Sequence, residues 1–342
     1  MEMPINSPET IFRLRDGSFA DDLFITAVSH LDFFNQLSGT PLDLPGICNA
    51  FDIQPRTADV MLSLFKAYGF VTEKDARYSL TDTSLMYLTR QGRYDLTSYV
   101  ASLKSRPVCA DMLRVLRSGK PANWAAAKSG EAWAKAMENE AFTSNFTAGM
   151  NSRGTYLASG LAGTFDFTDR HCLLDIGGAT GIYAQVVLRD NPHLRAAIFE
   201  KAPTDRLARL AVAESGLSDR IDVVTGDMFR DELPGGCDIH LLSHVLHDWD
   251  TPGVTAILEN SYRNMPPGGR LIIHDAHLNE AKNGPVSVAE YSVLLMFSSE
   301  GKCYSTAELG DLLANIGFTD FEYRPTILNR SIITAGKRQA SR

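Results

Sequence analysis

The residues in this chain best suited to chemistry gather in two places. One is Leu241-Leu242-Ser243-His244-Val245-Leu246-His247-Asp248-Trp249-Asp250, an apolar run that ends in two imidazoles and two carboxylates. Further along, Arg270-Leu271-Ile272-Ile273 leads into His274, Asp275 and His277. Imidazoles and carboxylates at two neighbouring strand ends suit proton transfer, and the same donors bind divalent metals. The spacing contains no HExxH-type pattern, and alternate residues of a strand point to opposite faces, so no metal is expected.

The second place is Asp175-Ile176-Gly177-Gly178-Ala179-Thr180-Gly181, where an apolar strand turns into a helix. Glycines allow a tight turn and a close backbone approach to a ligand, and the helix start offers unpaired N–H groups. A glycine turn alone does not separate this chain from a nicotinamide-dependent reductase. Its neighbours narrow the choice. Asp175 suits a cationic group better than a pyrophosphate, and Glu200, 19 residues beyond Gly181, can accept both hydroxyls of a ribose. Asp227-Met228 offers one polar and one apolar contact to an adenine. A ligand with an amino group, a ribose and an adenine but no phosphate is S-adenosylmethionine.

These segments need a scaffold. The chain has 342 residues, 44% of them hydrophobic and 22% charged, enough apolar material for more than one core. Strands at Cys172–Ile176, 196–199, 221–224, 239–242 and 270–273 alternate with helices at Thr180–Leu188, 204–214 and 254–264, which predicts a parallel α/β sheet with crossover helices. Two late strands, 321–323 and 331–334, read as an antiparallel closing pair. The N-terminal part is helical over 20–37 and 42–70, with loops at Ser38-Gly39-Thr40 and around Gln54-Pro55, followed by two short strands around Glu73–Arg77, a winged-helix pattern. The expected domains are 1–100, a helical winged unit; 101–165, a helical linker with pocket helices; and 166–342, the ligand-binding α/β unit.

Charge limits the partners. The net charge is −8, and Pro41–Asp82 carries four basic residues against six acidic ones, the reverse of what phosphate contacts require, so neither nucleic acid nor a membrane is an expected partner. No apolar run is long enough to span a bilayer, and a cytoplasmic location is expected. Five scattered cysteines with no CxxC pair predict neither a disulfide scaffold nor a zinc knuckle.

Together these pieces resemble the class I S-adenosylmethionine-dependent methyltransferases, and specifically the small-molecule O-methyltransferases typified by plant caffeic acid and animal acetylserotonin enzymes. The resemblance rests on the winged N-terminal part, Phe146-x-x-Gly149-Met150, the glycine loop, Gly226-Asp227-Met228-Phe229, His247-Asp248-Trp249, Pro267-Gly268-Gly269 and Gly301-Lys302. It implies a seven-stranded sheet whose last strand is antiparallel, and a homodimer formed through the N-terminal helices. It further implies a cofactor pocket of Asp175, Gly177, Gly178, Gly181, Glu200, Asp227, Met228, Ser243 and Trp249. His247 matches the family's general base, and a phenol of pKa near about 10 needs such a base at neutral pH. Asp275 occupies the position of one glutamate that flanks this histidine in the family, and is expected to orient it. Cys303 occupies that of the other, where no carboxylate stands. Met137, Phe142, Phe146, Met150 and Met296, with Cys303, are expected to line the pocket of an aromatic, hydroxyl-bearing acceptor, in secondary metabolism. The two departures leave carbon or nitrogen methylation, metal-assisted or not, or a non-methylating reaction, as the alternative within enzymes. A non-catalytic regulator is the alternative outside them, and the acidic wing opposes it.

Overall fold

A computed structural model describes residues 5–122 and 139–339. By contact these residues form two compact units, 8–122 with 278–305, and 5–7 with 139–277 and 306–339. This division differs from boundaries at 100 and 165. Helix Val286–Ser298 is buried along almost its whole length and packs against helix Pro55–Ala67 of the first unit. An all-round apolar helix goes where it can be covered, whatever its place in the chain.

In the helical unit, the stretch 20–37 is broken into Ala20–Ser29 and Phe33–Leu37, and the stretch 42–70 divides, as the loop around Gln54-Pro55 predicts, into Leu44–Phe51 and Pro55–Ala67. Asp32 and Asp52 take left-handed backbone at two of the breaks, and Asp43 caps Leu44–Phe51 by accepting the Gly46 N–H at 2.9 Å. Strands β1 (Val71–Lys74) and β2 (Arg77–Leu80) form the wing, joined by Asp75 and Ala76, both at positive φ, the two-residue turn that suits a twisted hairpin. Phe24, Phe33, Phe34, Phe65 and Phe70 fill the core beneath it as tilted and edge-on rings.

The second unit is built on a seven-stranded sheet: β3 (Cys172–Ile176), β4 (Arg195–Glu200), β5 (Ile221–Thr225), β6 (Ile239–Ser243), β7 (Arg270–Asp275), β8 (Thr319–Pro325) and β9 (Ser331–Gly336). Its order is β5-β4-β3-β6-β7-β9-β8, with the first five strands parallel and β9 antiparallel to both neighbours. From β3 the chain moves outward one way to β4 and β5, and later the other way to β6 and β7. The loops after β3 and β6 therefore diverge, leaving a crevice at their C-terminal ends, which is where open α/β sheets bind ligands. The glycine loop follows β3, and His247 follows β6.

Helix Ile182–Asp190 starts two residues later than expected, because Gly181, at φ 72°, is its cap rather than part of its first turn. The cysteine spacing predicts no disulfide scaffold, and one pair is nevertheless bonded. Cys172 opens β3 and Cys237 precedes β6, so parallel neighbours bring together, as a disulfide, two residues 65 positions apart. No spacing rule signals a pair made only by strand order.

Candidate active site

Asp175 lies in β3, fully buried, between β4 and β6. Neither carboxylate oxygen has a well-formed hydrogen bond, and burial pushes the group up to about 7 in spite of the Ala184 N–H. A buried acid without a partner fits an incoming cation. The backbone around it is shaped for close approach: a Cβ at Gly178 would lie 2.4 Å from the Asp175 carboxyl carbon, and one at Gly181 would lie 2.1 Å from Ile198 Cδ1. Gly177, at φ 68°, faces Met228 Sδ and the Val245 methyls across a narrow gap.

Glu200 ends β4 and accepts the N–H of Ala179 at 2.9 Å and of Lys201 at 2.8 Å, which ties the second strand to the glycine loop. Burial raises its carboxyl above the ordinary range. Beyond β5, burial opposes ionisation of Asp227, but the Phe229 N–H and the Lys201 ammonium, 3.0 Å away, outweigh it and hold the carboxyl low. Asn260 fixes the Met228 carbonyl at 2.9 Å, and Trp249 meets Phe229 edge-on at 4.7 Å. Ser243, at the end of β6, completes the row. Asp175, Glu200 and Asp227, the last beside Met228, stand in order at the C-terminal ends of β3, β4 and β5, and an unpaired buried carboxyl beside a glycine turn fits the cationic, phosphate-free S-adenosylmethionine.

The reacting end is set by register. Ser243 of β6 pairs with His274 of β7, so the single turn Leu246–Asp248 sits beside the end of β7. His247 Nδ1 lies 2.6 Å from Asp275 Oδ1, and both residues are only 3% exposed. The Ala276 N–H donates to the same oxygen at 2.8 Å. Burial would raise Asp275, but the neighbouring imidazoles hold it well below the usual carboxylate range. An ionised Asp275 selects the tautomer with hydrogen on Nδ1, so Nε2 is the nitrogen that can accept a proton. Nε2 lies 3.8 Å from Asp248 Oδ1, near enough to favour an imidazolium once formed.

Phe142, Phe146 and Met150 are half-buried on helix Glu140–Thr164, with the two phenyl rings stacked at 6.3 Å. Met137 lies outside the described residues. Met296 and Cys303 are buried in the helical unit, on and just after helix Val286–Ser298. Sequence reasoning missed Asn151, whose side chain accepts the Thr180 hydroxyl and anchors the glycine loop to the long helix. It also missed Lys201 as the holder of Asp227. Lys201 follows Glu200 directly and was open to notice, whereas nothing local marks Asn151.

The strand order, the switch-point crevice and this row of residues define a class I methyltransferase. The chain belongs to the S-adenosylmethionine-dependent O-methyltransferase family, whose O-methyltransferase domain matches residues 110–319. It is 27% identical to a 3-hydroxy-5-methyl-1-naphthoate 3-O-methyltransferase of Streptomyces sahachiroi over 86% of this chain and 85% of that one. It is 34% identical to the aclacinomycin 10-hydroxylase RdmB of Streptomyces purpurascens, covering 76% of this chain and 70% of that protein. Among solved structures, an O-methyltransferase family 2 protein from Planctomyces limnophilus in complex with apigenin has a TM-score of 0.88 and 26% identity, with 98% of each chain covered. No helix among the described residues is long and apolar enough to cross a membrane.

Proposed function

We propose that this enzyme methylates a hydroxyl of a small aromatic acceptor, with His247 as general base and Asp275 as the carboxylate that positions it. The observation that carries the reading is the 2.6 Å contact between His247 Nδ1 and Asp275 Oδ1. S-adenosylmethionine, when bound, supplies a methyl group already activated for transfer. The protein's own part is to orient and deprotonate. Asp175 neutralises the amino group, Glu200 holds the ribose, and Asp227 and Met228 flank the adenine, with Gly177, Gly178, Gly181, Ser243 and Trp249 shaping the pocket. His247 Nε2 takes the acceptor's proton as its oxygen attacks, and the charge that forms on the ring is met by Asp275 and Asp248. Phe142, Phe146 and Met150 offer the acceptor an apolar seat. The naphthoate substrate named for the Streptomyces relative and the apigenin bound by the solved neighbour support a flat, phenolic acceptor of the kind made in secondary metabolism.

The reading includes a cytoplasmic homodimer. Ile11, Leu14, Tyr94, Leu96 and Tyr99 of the helical unit leave large apolar surfaces exposed, and a second copy would cover them. Light scattering at micromolar concentration tests this, and a monomer would remove it.

The chemistry is tested by calorimetric titration with S-adenosylmethionine, then mass spectrometry of a panel of phenols, catechols, α-keto acids and amines. Phenol O-methylation that falls roughly a hundredfold in His247→Ala, with cofactor affinity kept, supports the reading. Transfer indifferent to His247 removes the base. A second reading is favoured by Cys303, which stands where a carboxylate is expected, and by the 34% identical relative named as a hydroxylase. Tight cofactor binding with carbon methylation, or with no methyl transfer to any acceptor, would select it.

A further inference from the structure

His244 is the residue of this site that proton transfer leaves unexplained. It follows β6 with φ 54°, a left-handed conformation that costs a residue with a β-carbon about 1 kcal/mol or more. The residue is only 9% exposed; Nε2 has no hydrogen-bond partner, and Nδ1 has no well-aligned one, only the approach of Asp275. A buried imidazole with one nitrogen unpaired and the other only loosely met, on strained backbone, calls for a ligand. The ring is aimed at a definite point: Nδ1 lies 3.3 Å from Asp275 Oδ1, the oxygen that His247 Nδ1 approaches to 2.6 Å.

Two imidazole nitrogens thus converge on one carboxylate, and one ligand atom from each of the three residues lies within 4.8 Å of the others. Ligands bonded to one ion at roughly 2.0–2.2 Å stand about 3 Å apart, so small side-chain adjustments would bring all three into a first coordination sphere. The neighbouring imidazoles are engaged elsewhere, His274 with the Thr326 hydroxyl at 3.0 Å and His277 with that of Ser331 at 2.7 Å.

We propose that His244, His247 and Asp275 bind a divalent transition-metal ion of the kind that imidazoles favour, such as Zn2+, Co2+ or Fe2+. Two nitrogens and one carboxylate leave coordination positions open for water or an oxygen-bearing ligand. The site stands on geometry alone; its effect on turnover rests on the proposed role of His247. With the ion on His247 Nδ1, the ring hydrogen resides on Nε2, the atom assigned to accept the acceptor's proton. Metal occupancy and general-base catalysis are then mutually exclusive states of one histidine.

The test is titration of the full-length, chelator-treated protein with Co2+, followed by visible absorption. The expected result is a ligand-field band saturating at one equivalent, with affinity lower by roughly a hundredfold in His244→Asn and Asp275→Asn. Asn is chosen at position 244 because it tolerates left-handed backbone, and circular dichroism checks the fold. His274→Ala should bind like the parent. Absence of a band, a near-ultraviolet thiolate band reporting a free cysteine, or unchanged binding in both Asn variants would overturn the site. Co2+ should also inhibit phenol methylation, with reversal by a chelator. Binding at this site without inhibition would leave the metal assignment standing and count against His247 as the base.

Discussion

His247 Nδ1 and Asp275 Oδ1 meet at 2.6 Å across the ends of two parallel strands, β6 and β7. The contact depends on the sheet as much as on the two residues. Register pairs Ser243 with His274, and a slip of one position would turn Asp275 to the other face, away from the turn that carries His247. The dyad therefore inherits the rigidity of a ladder buried on both sides.

The first prediction follows from this pair. Asp275→Asn keeps the size of the side chain but removes the charge that selects the His247 tautomer and stabilises its imidazolium. We expect kcat to fall by roughly a hundredfold or more, with cofactor affinity within about threefold of the parent. Steady-state kinetics paired with calorimetry check this, and a loss confined to KM would count against a positioning role for Asp275.

Much of this was open to reading before the fold was known, because strand ends, glycine turns and terminal carboxylates follow local rules. The order Asp175, Glu200, Asp227 could be read because each residue ends or follows a strand at helical intervals. The disulfide between Cys172 and Cys237 could not, since only strand order makes those cysteines neighbours. The same holds for helix Val286–Ser298: it is apolar over most of its circumference, and periodicity cannot say which core will receive it. His244 was visible as a candidate ligand, but its left-handed backbone and its approach to Asp275 come only from the loop's path.

A second prediction concerns protons. Burial raises Asp175 to about 7 in the cofactor-free protein, so at a pH near 6 most of the carboxyl is protonated. A cation placed against it favours the ionised form, so binding releases a proton. Calorimetry in buffers of different ionisation enthalpy should detect roughly one proton released near pH 6 and almost none near pH 9. Asp175→Asn should release none and bind weakly. The sign for stability is the reverse of a salt-bridged acid. The folded-state pKa is raised, so this group's contribution is full below the ordinary carboxylate range and is lost as pH climbs through about 7. Without cofactor, the parent should lose more thermal stability than Asp175→Asn between pH 5 and 8.

A third prediction separates the two tightest glycines. Gly178→Ala would place a methyl 2.4 Å from the Asp175 carboxyl carbon, displacing the side chain assigned to the amino group, so cofactor affinity should fall at least roughly tenfold. Gly181→Ala meets both a positive φ and Ile198 Cδ1 at 2.1 Å, and should cost the fold about 1–3 kcal/mol. Ile198→Ala in the same chain relieves the clash but not the backbone strain. The double variant should therefore recover part of the loss that Gly181→Ala adds, and denaturant titration of the four proteins measures the coupling.

The helical unit carries its own electrostatic anchor, and the last prediction addresses it. Asp59, on helix Pro55–Ala67, lies 2.9 Å from the Lys282 ammonium and 2.5 Å from that of Lys302. Burial would raise its carboxyl, but the two ammonium groups outweigh that and hold it below the ordinary value. The sequence around Lys302 is thereby tied to the N-terminal helices. Asp59→Ala removes the shared anion and leaves two close cations in a half-closed setting, which should destabilise the fold by about 3 kcal/mol. Because the folded-state pKa is depressed, the contribution is present above the ordinary carboxylate pKa and is lost as pH falls through the folded value. The gap in melting temperature between parent and variant should therefore be full at neutral pH and shrink in the acid range below about pH 4. A gap independent of pH would mean that packing, and not charge, makes Asp59 important.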